Sequence, residues 1–261
     1  MKFIKRFPLV HLAVLLILIL LFFVYFLKAN IFLDPDFGWR LRIGEIILKN
    51  GIPKTDPLSY TMPSYQYADH EWLAHAAMAK LYSLFRYDGL ALIFTFLAIG
   101  SVVIMIRNSD IRFAALHILF ATTALFSYFG VRVQVITWLF FAIICRIILE
   151  EKWWSRLKYF LPFIFLLWAN LHGGFIIGLV VLFIATFERK DSKGFAILLA
   201  SIIATFINPY GIRLWREVAI SLTDTSLRLL IIEWRPIFFS ATVVLLLLMV
   251  YSLTFILRYR R

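Results

Sequence analysis

PLVHLAVLLILILLFFVYFL, Pro8 to Leu27, decides the fold class. These 20 residues hold no lysine, arginine or acid. At about 1.5 Å per helical residue they cover about 30 Å, the thickness of a bilayer's hydrocarbon core. The basic start Met1 to Arg6 could open a signal peptide. The apolar run is long for that, and no A-x-A cleavage pattern follows, so an uncleaved first helix is expected.

Working outward, comparable apolar runs recur, and we expect eight spans near 8–28, 88–107, 112–130, 133–150, 157–171, 173–188, 193–207 and 238–258. The chain of 261 residues is 62% hydrophobic with mean hydropathy +0.88, where soluble domains are nearer half apolar. The runs are continuous rather than alternating, which argues against a transmembrane barrel. The reading is an all-α polytopic bundle, residues 1–261 forming one membrane domain.

Basic residues orient such a chain. Lys2, Lys5 and Arg6 precede the first run. Arg107 with Arg112, then Lys152, Arg156 and Lys158, then Arg189, Lys190 and Lys193, then Arg258, Arg260 and Arg261 mark alternate connections. Both termini are thus expected inside, with a long first external loop over 29–87 and a second over 208–237. The interruption at Asn170–Gly174 is expected to be a hairpin; one long broken helix would invert everything after it. The formal charge of +12 fits helix-end anchors and anionic head groups, and no run is dense enough for a nucleic-acid patch. The single cysteine, Cys145, excludes an internal disulfide and a cysteine metal site.

The first loop carries unusual polar residues. Asp34 and Asp36 bracket Pro35, which holds Asp34 extended. Asp36 has the position of an N-cap for a helix stopped by Gly51. On that helix Arg42, Glu45 and Lys49 share a polar stripe, as suits an interfacial helix. Arg40 falls in the apolar arc, either snorkelling or turned toward a site as an anion binder. The prolines of Gly51 to Tyr60 predict an ordered irregular link. Asp69 is expected to cap a second helix through His70-Glu71-Trp72-Leu73-Ala74-His75. This resembles HExxH, but the second histidine comes one residue late, about 140° around the helix, so a metalloprotease is excluded. Glu71 and His75 share a face and either serve one ligand or support one another.

Four more polar clusters punctuate later helix ends. Arg132 and Gln134 sit at the mouth of one span, where arginine suits a lipid phosphate. Asn170 and His172 flank a break whose glycines permit close backbone approach. Asn208-Pro209-Tyr210-Gly211 reads as a turn. Glu233-Trp234-Arg235-Pro236 reads as an interfacial ion pair or a site wall.

This ordered series resembles the GT-C superfamily of integral membrane glycosyltransferases, and within it a bacterial branch. The matching pieces are Asp34-Pro35-Asp36, Gly51-Ile52-Pro53, Asp56-Pro57-Leu58-Ser59-Tyr60-Thr61, His70-Glu71-Trp72-Leu73, Arg132-Val133-Gln134, Asn170-Leu171-His172-Gly173-Gly174, Asn208-Pro209-Tyr210-Gly211 and Glu233-Trp234. The resemblance implies two interfacial helices in the first loop and an essential acid just after the first span, Asp34 or Asp36. It implies a polyprenyl-phosphate-linked sugar as donor and a glycan, lipid or protein as acceptor, at the extracytoplasmic face of a bacterial plasma membrane. Arg132 and then Arg40 would stabilise the leaving phosphate. His70, Glu71, Gln134, Asn170, His172 and Glu233 would line the site, and Asp34, Asp36 and Glu71 would suit Mg²⁺ or Mn²⁺. Members of the superfamily are usually longer, so the chain reads as a minimal core, a fragment or one half of a split pair with a partner subunit. The rival classes are a polytopic transporter and a non-catalytic membrane assembly protein for envelope glycans or lipids.

Overall fold

The computed structural model describes residues 7–66, 68–106 and 111–230. Among these the fold is helical throughout: α1 (Phe7–Ile31), α2 (Phe37–Asn50), α3 (Trp72–Met105), α4 (Ile111–Phe126), α5 (Gln134–Leu149), α6 (Glu151–Leu157), α7 (Leu161–Leu171), α8 (Phe175–Arg189), α9 (Ser192–Thr205), α10 (Ile212–Thr223) and α11 (Thr225–Leu230). A single antiparallel bridge, Thr55 to Gln66, closes the link between α2 and α3.

Each expected span that lies within the described residues coincides with a helix, but the lengths differ in a way that matters. Among the described residues, only α1, over Leu9–Ile31, and α3 are long and apolar enough to cross a bilayer. The helices α4, α5, α7, α8 and α9 have 16, 16, 11, 15 and 14 residues. At about 1.5 Å per residue these reach roughly 16–24 Å, short of a core of about 30 Å. Eight full-length crossings are therefore more than the described helices provide. The span expected at 238–258, the basic residues at both chain ends, and the Arg107 turn lie outside the described residues.

The second helix of the first loop covers 72–85 and is interrupted at Arg86, whose φ of 56° and ψ of −166° are not helical. Helix resumes beyond it to Met105, so α3 is two helices joined across a kink, and the break falls where the expected loop helix and the expected span near 88–107 meet.

The interruption at His172 is a true reversal. His172 is extended, and the ideal Cβ of Gly178 would fall 2.4 Å from the Trp168 ring and 3.0 Å from that of Phe165. In one continuous helix those residues would be about 15–20 Å apart. The core on this side is built on α7, with Leu161, Phe165 and Trp168 buried among Ile144, Leu182 and Ile197. A second core joins α1, α2, α3 and the start of α5 through Tyr25, Phe37, Met78, Phe94 and Val135.

Helix ends gather at two poles. At one, Arg146 donates to the Ile106 carbonyl, Arg189 pairs with Glu151, and Asp191 accepts from Lys158 and Trp154. At the other lie the C-terminal ends of α1, α7 and α9 and the N-terminal ends of α2, α3, α5 and α8. Of the connections expected inside, those of Lys158 and Arg189 lie at the first pole.

Candidate active site

The second pole is built first by α2. Asp34 accepts the Asp36 backbone N–H through Oδ1 at 3.0 Å, and the Phe37 N–H bonds the Asp34 carbonyl. Asp36 takes the cap position of α2 but makes no side-chain cap bond. Its carboxylate turns instead to the Trp39 indole at 3.1 Å and the Arg40 guanidinium at 3.3 Å. The expected capping role of Asp36 is thus replaced by side-chain pairing along the helix.

Arg40 is buried, and its place in the apolar arc is explained by what it meets there. It reaches Gln134 Oε1 at 3.3 Å and lies 3.6 Å from Glu71 Oε2, as well as pairing with Asp36. Arg132 pairs with Asp34. Both arginines expected to face a phosphate are therefore engaged by carboxylates of the chain, which compensates the cost of burying their charge.

Glu71 is the hub. Its Oε2 takes His75 Nε2 at 3.2 Å, and its Oε1 lies 3.3 Å from His172 Nε2 and 3.8 Å from His70 Nε2. His75 is fully buried, and its other nitrogen meets Asp69 Oδ2 at 2.8 Å. Both partners are carboxylates, so the ring donates from both nitrogens. Of the two readings for Glu71 and His75, mutual support is the one the contacts favour. Burial opposes ionisation of Glu71, but the His75 hydrogen bond and the surrounding cationic side chains outweigh it and hold the carboxyl well below its ordinary value. Asp69 does not occupy the cap position; Glu71 does. Asp69 serves the turn before it, accepting the Glu71 N–H at 2.9 Å.

His172 has a defined tautomer. Its Nδ1 accepts the Gly174 backbone N–H at 2.9 Å, so the ring proton sits on Nε2 and is donated toward Glu71. Thr137 lies 2.8 Å from the same Nδ1 while accepting the Trp168 indole N–H at 3.0 Å, which leaves its own proton for the histidine. Burial pushes the His172 pKa down to about 4, so the ring is neutral at neutral pH. Burial likewise raises the Asp34 carboxyl above its ordinary value, against the pull of Arg132.

Asn170 is at this pole but is spent structurally. Its Oδ1 accepts the Trp72 indole N–H at 2.9 Å, and its amide donates to the Leu166 and Ile207 carbonyls. It braces α3, α7 and the residues just after α9. Asn208 forms the expected turn, accepting the Tyr210 N–H, and the Tyr210 hydroxyl reaches the Pro53 carbonyl at 3.3 Å. Glu233 lies outside the described residues.

The structure thus brings Asp34, Asp36, Arg40, His70, Glu71, Arg132, Gln134, Asn170 and His172 to one pole. It adds Asp69, His75 and Thr137, which the sequence alone had not marked as site residues. Only the spacing of Glu71 and His75 hinted at one of them. Beside this network a pocket of about 290 Å³ opens between α2, the 51–70 link and the start of α3. Trp39 and Ile43 wall it on one side, Asp56 and Leu58 on another, and His70 and Glu71 on a third.

A divalent metal does not fit these donors. Among the described residues no three histidines, cysteines or acids are grouped to hold one. Asp34 faces Arg132, and Asp36 and Glu71 share Arg40 between them. The expected Mg²⁺ or Mn²⁺ set of Asp34, Asp36 and Glu71 is corrected on that ground: arginines occupy the place of the cation.

No protein-family model, curated protein or solved structure matches the chain.

Proposed function

We propose that the chain is a GT-C-type membrane glycosyltransferase, moving a sugar from a polyprenyl-phosphate-linked donor to an acceptor hydroxyl at the extracytoplasmic face. The observation that carries this is the single network at one pole. Residues spread from Asp34 to His172 are linked by successive pairs no more than 3.8 Å apart.

Membrane residence is supported by the two long apolar helices and by the outward apolar side chains of the shorter ones. Leu12, Leu16, Leu20 and Phe23 on α1 and Val180, Phe183 and Phe187 on α8 are exposed, a pattern suited to lipid. In this reading the short helices reach the bilayer faces with their flanking turns, in a locally thinned membrane. The membrane is then a bacterial plasma membrane, with the pole of Asp34 and His172 at its extracytoplasmic face.

The acceptor oxygen attacks the anomeric carbon, the bond from that carbon to the lipid phosphate oxygen breaks, and the electron pair leaves with the phosphate. The acceptor proton passes to a carboxylate. Asp36 is better placed for this than Asp34, because its side chain is 42% exposed and that of Asp34 is 4% exposed. Protonating Asp36 leaves Arg40 with less anionic company as charge grows on the departing phosphate. Asp34 then acts by holding Arg132 and the Asp36 backbone in place.

A transporter is disfavoured by the buried polar residues between the poles. Thr95, Ser101, Thr122, Thr186 and Ser201 bond carbonyls of their own helices, which leaves no charged path among the described residues. The test is a transfer assay with a panel of lipid-linked sugars on the purified chain and on Asp36→Asn. Loss of transfer with unchanged expression is expected. No transfer by the unaltered chain from any lipid-linked sugar would leave the assembly-protein reading in its place, whereas unchanged transfer in both Asp34→Asn and Asp36→Asn would remove the two aspartates from the chemistry.

A further inference from the structure

We infer that the pocket beside Glu71 is a subsite for one sugar ring that carries no negative charge, either a neutral or an amine-bearing hexose. The inference deepens the transferase reading and rests on it for the origin of the ring, which belongs to donor or acceptor.

Size comes first. At about 290 Å³ the pocket is at the small end of ligand sites, which run from about 300 Å³ upward. It has room for a single ring.

Its walls are of two kinds. Trp39, Ile43 and Leu58 present apolar surface, and Asp56, His70 and Glu71 present polar atoms. A pyranose has this division: a face of C–H groups that lies on an indole, and a rim of hydroxyls that donate to carboxylates. Trp39 is held for the purpose. Its indole N–H bonds Asp36, the Arg40 guanidinium lies over its ring, and His75 meets it edge-on at 5.4 Å. An aromatic fixed on those sides, yet 38% exposed, costs little further ordering when a ligand covers it.

Charge then selects. Asp56, Asp69 and Glu71 line the space together with His70 and His75, and Arg40 is turned to Asp36, Glu71 and Gln134. A phosphate or uronate placed there would face three carboxylates, and the one imidazole held between carboxylates, His75, is already taken by two of them. The pocket therefore suits the sugar and excludes the phosphate, which assigns the two halves of a lipid-linked donor to different places. Trp39 links them, since it walls the pocket and hydrogen-bonds the carboxylate proposed to take the proton.

The test is saturation-transfer NMR on the purified full chain in nanodiscs, with glucose, galactose, N-acetylglucosamine, glucosamine and glucuronic acid in the millimolar range. At least one neutral or aminated hexose should give a signal that falls tenfold or more in Trp39→Ala and is largely restored in Trp39→Phe. Asp56→Asn keeps the acceptor oxygen that bonds the Leu58 and Ser59 N–H groups. It should weaken the same signal several-fold and admit glucuronic acid. Silence from every neutral and amino hexose overturns the inference, as does a signal unchanged in Trp39→Ala, or glucuronic acid binding the wild type as well as the others. Transfer that is lost in Asp36→Asn yet indifferent to Trp39→Ala would sink the subsite and leave the transferase standing. Sugar binding without transfer from any lipid-linked donor would do the reverse.

Discussion

His172 Nε2 lies 3.3 Å from Glu71 Oε1, and its other ring nitrogen accepts a backbone N–H. The neutral imidazole is thus a fixed donor to a buried carboxylate rather than its counter-ion. An exposed histidine in the unfolded chain titrates near 6.5, whereas burial brings His172 to about 4. Between those values the unfolded chain takes up a proton that the folded chain refuses. Stability is therefore lost as pH falls from about 6.5 to about 4. Glu71, held low, extends the loss at still lower pH; Asp34, raised, opposes it in part. Thermal inactivation followed across this range should show the slope, and His172→Gln should flatten it.

Asp34→Asn and Asp36→Asn should fail differently. Asp36→Asn keeps its fold and loses transfer by about a hundredfold or more, the usual scale for a general base. Asp34→Asn withdraws a buried carboxylate from Arg132 and should cost roughly 3 kcal/mol, the low end for breaking a buried pair, because Arg132 keeps some exposure. Melting temperature and single-turnover transfer, measured on both, separate the two outcomes.

Two glycines of α2 give a paired test. A Cβ on Gly44 would lie 2.0 Å from the His75 carbonyl oxygen, whereas Gly38 has nothing within 4 Å. Gly44→Ala should destabilise by about 1–3 kcal/mol as α2 is pushed off α3. Gly38→Ala should be neutral or stabilise by up to about 1 kcal/mol through helix propensity. Melting curves in matched detergent decide it.

Asn170→Ala should lower stability by about 1–3 kcal/mol, since it leaves the Trp72 indole N–H and the Ile207 carbonyl without this partner. If Asn170 only braces, the KM for the donor should hold wherever the variant remains folded. A KM rise at full stability would return Asn170 to the substrate contacts.

The sequence carried the helices well because their apolar runs are long and their breakers chemically plain: Gly51 ends α2, and His172 with two glycines ends α7. It did not foretell their lengths: among the described residues only α1 and α3 are long and apolar enough to cross a bilayer. A run such as 161–169 is apolar on every face, but Leu161, Phe165 and Trp168 face other helices rather than lipid, and hydropathy does not distinguish the two surroundings. The kink at Arg86 had no proline to announce it. For the site, residue type marked Asp34, Arg40, Glu71, Arg132 and His172, each costly to bury without cause. It did not reveal that Asn170 would meet a tryptophan 98 residues away. Nor did it show that Asp69 and Glu71 would clasp His75 from both sides, since long-range partners leave no local pattern.

The contact of Gly44 with the His75 carbonyl has a mechanical consequence. With no spare ångström between them, α2 can neither roll nor slide on α3 without dragging the histidine clasped by Asp69 and Glu71. The shelf and the acid knot beneath it must travel as one block. Widening of the cleft for a bulky guest is thereby delegated to the strap of residues 51–66, pinned at Pro53 by Tyr210 and at Gln66 by Arg213. Those two fastenings, rather than the helices, govern how readily the entrance gives way.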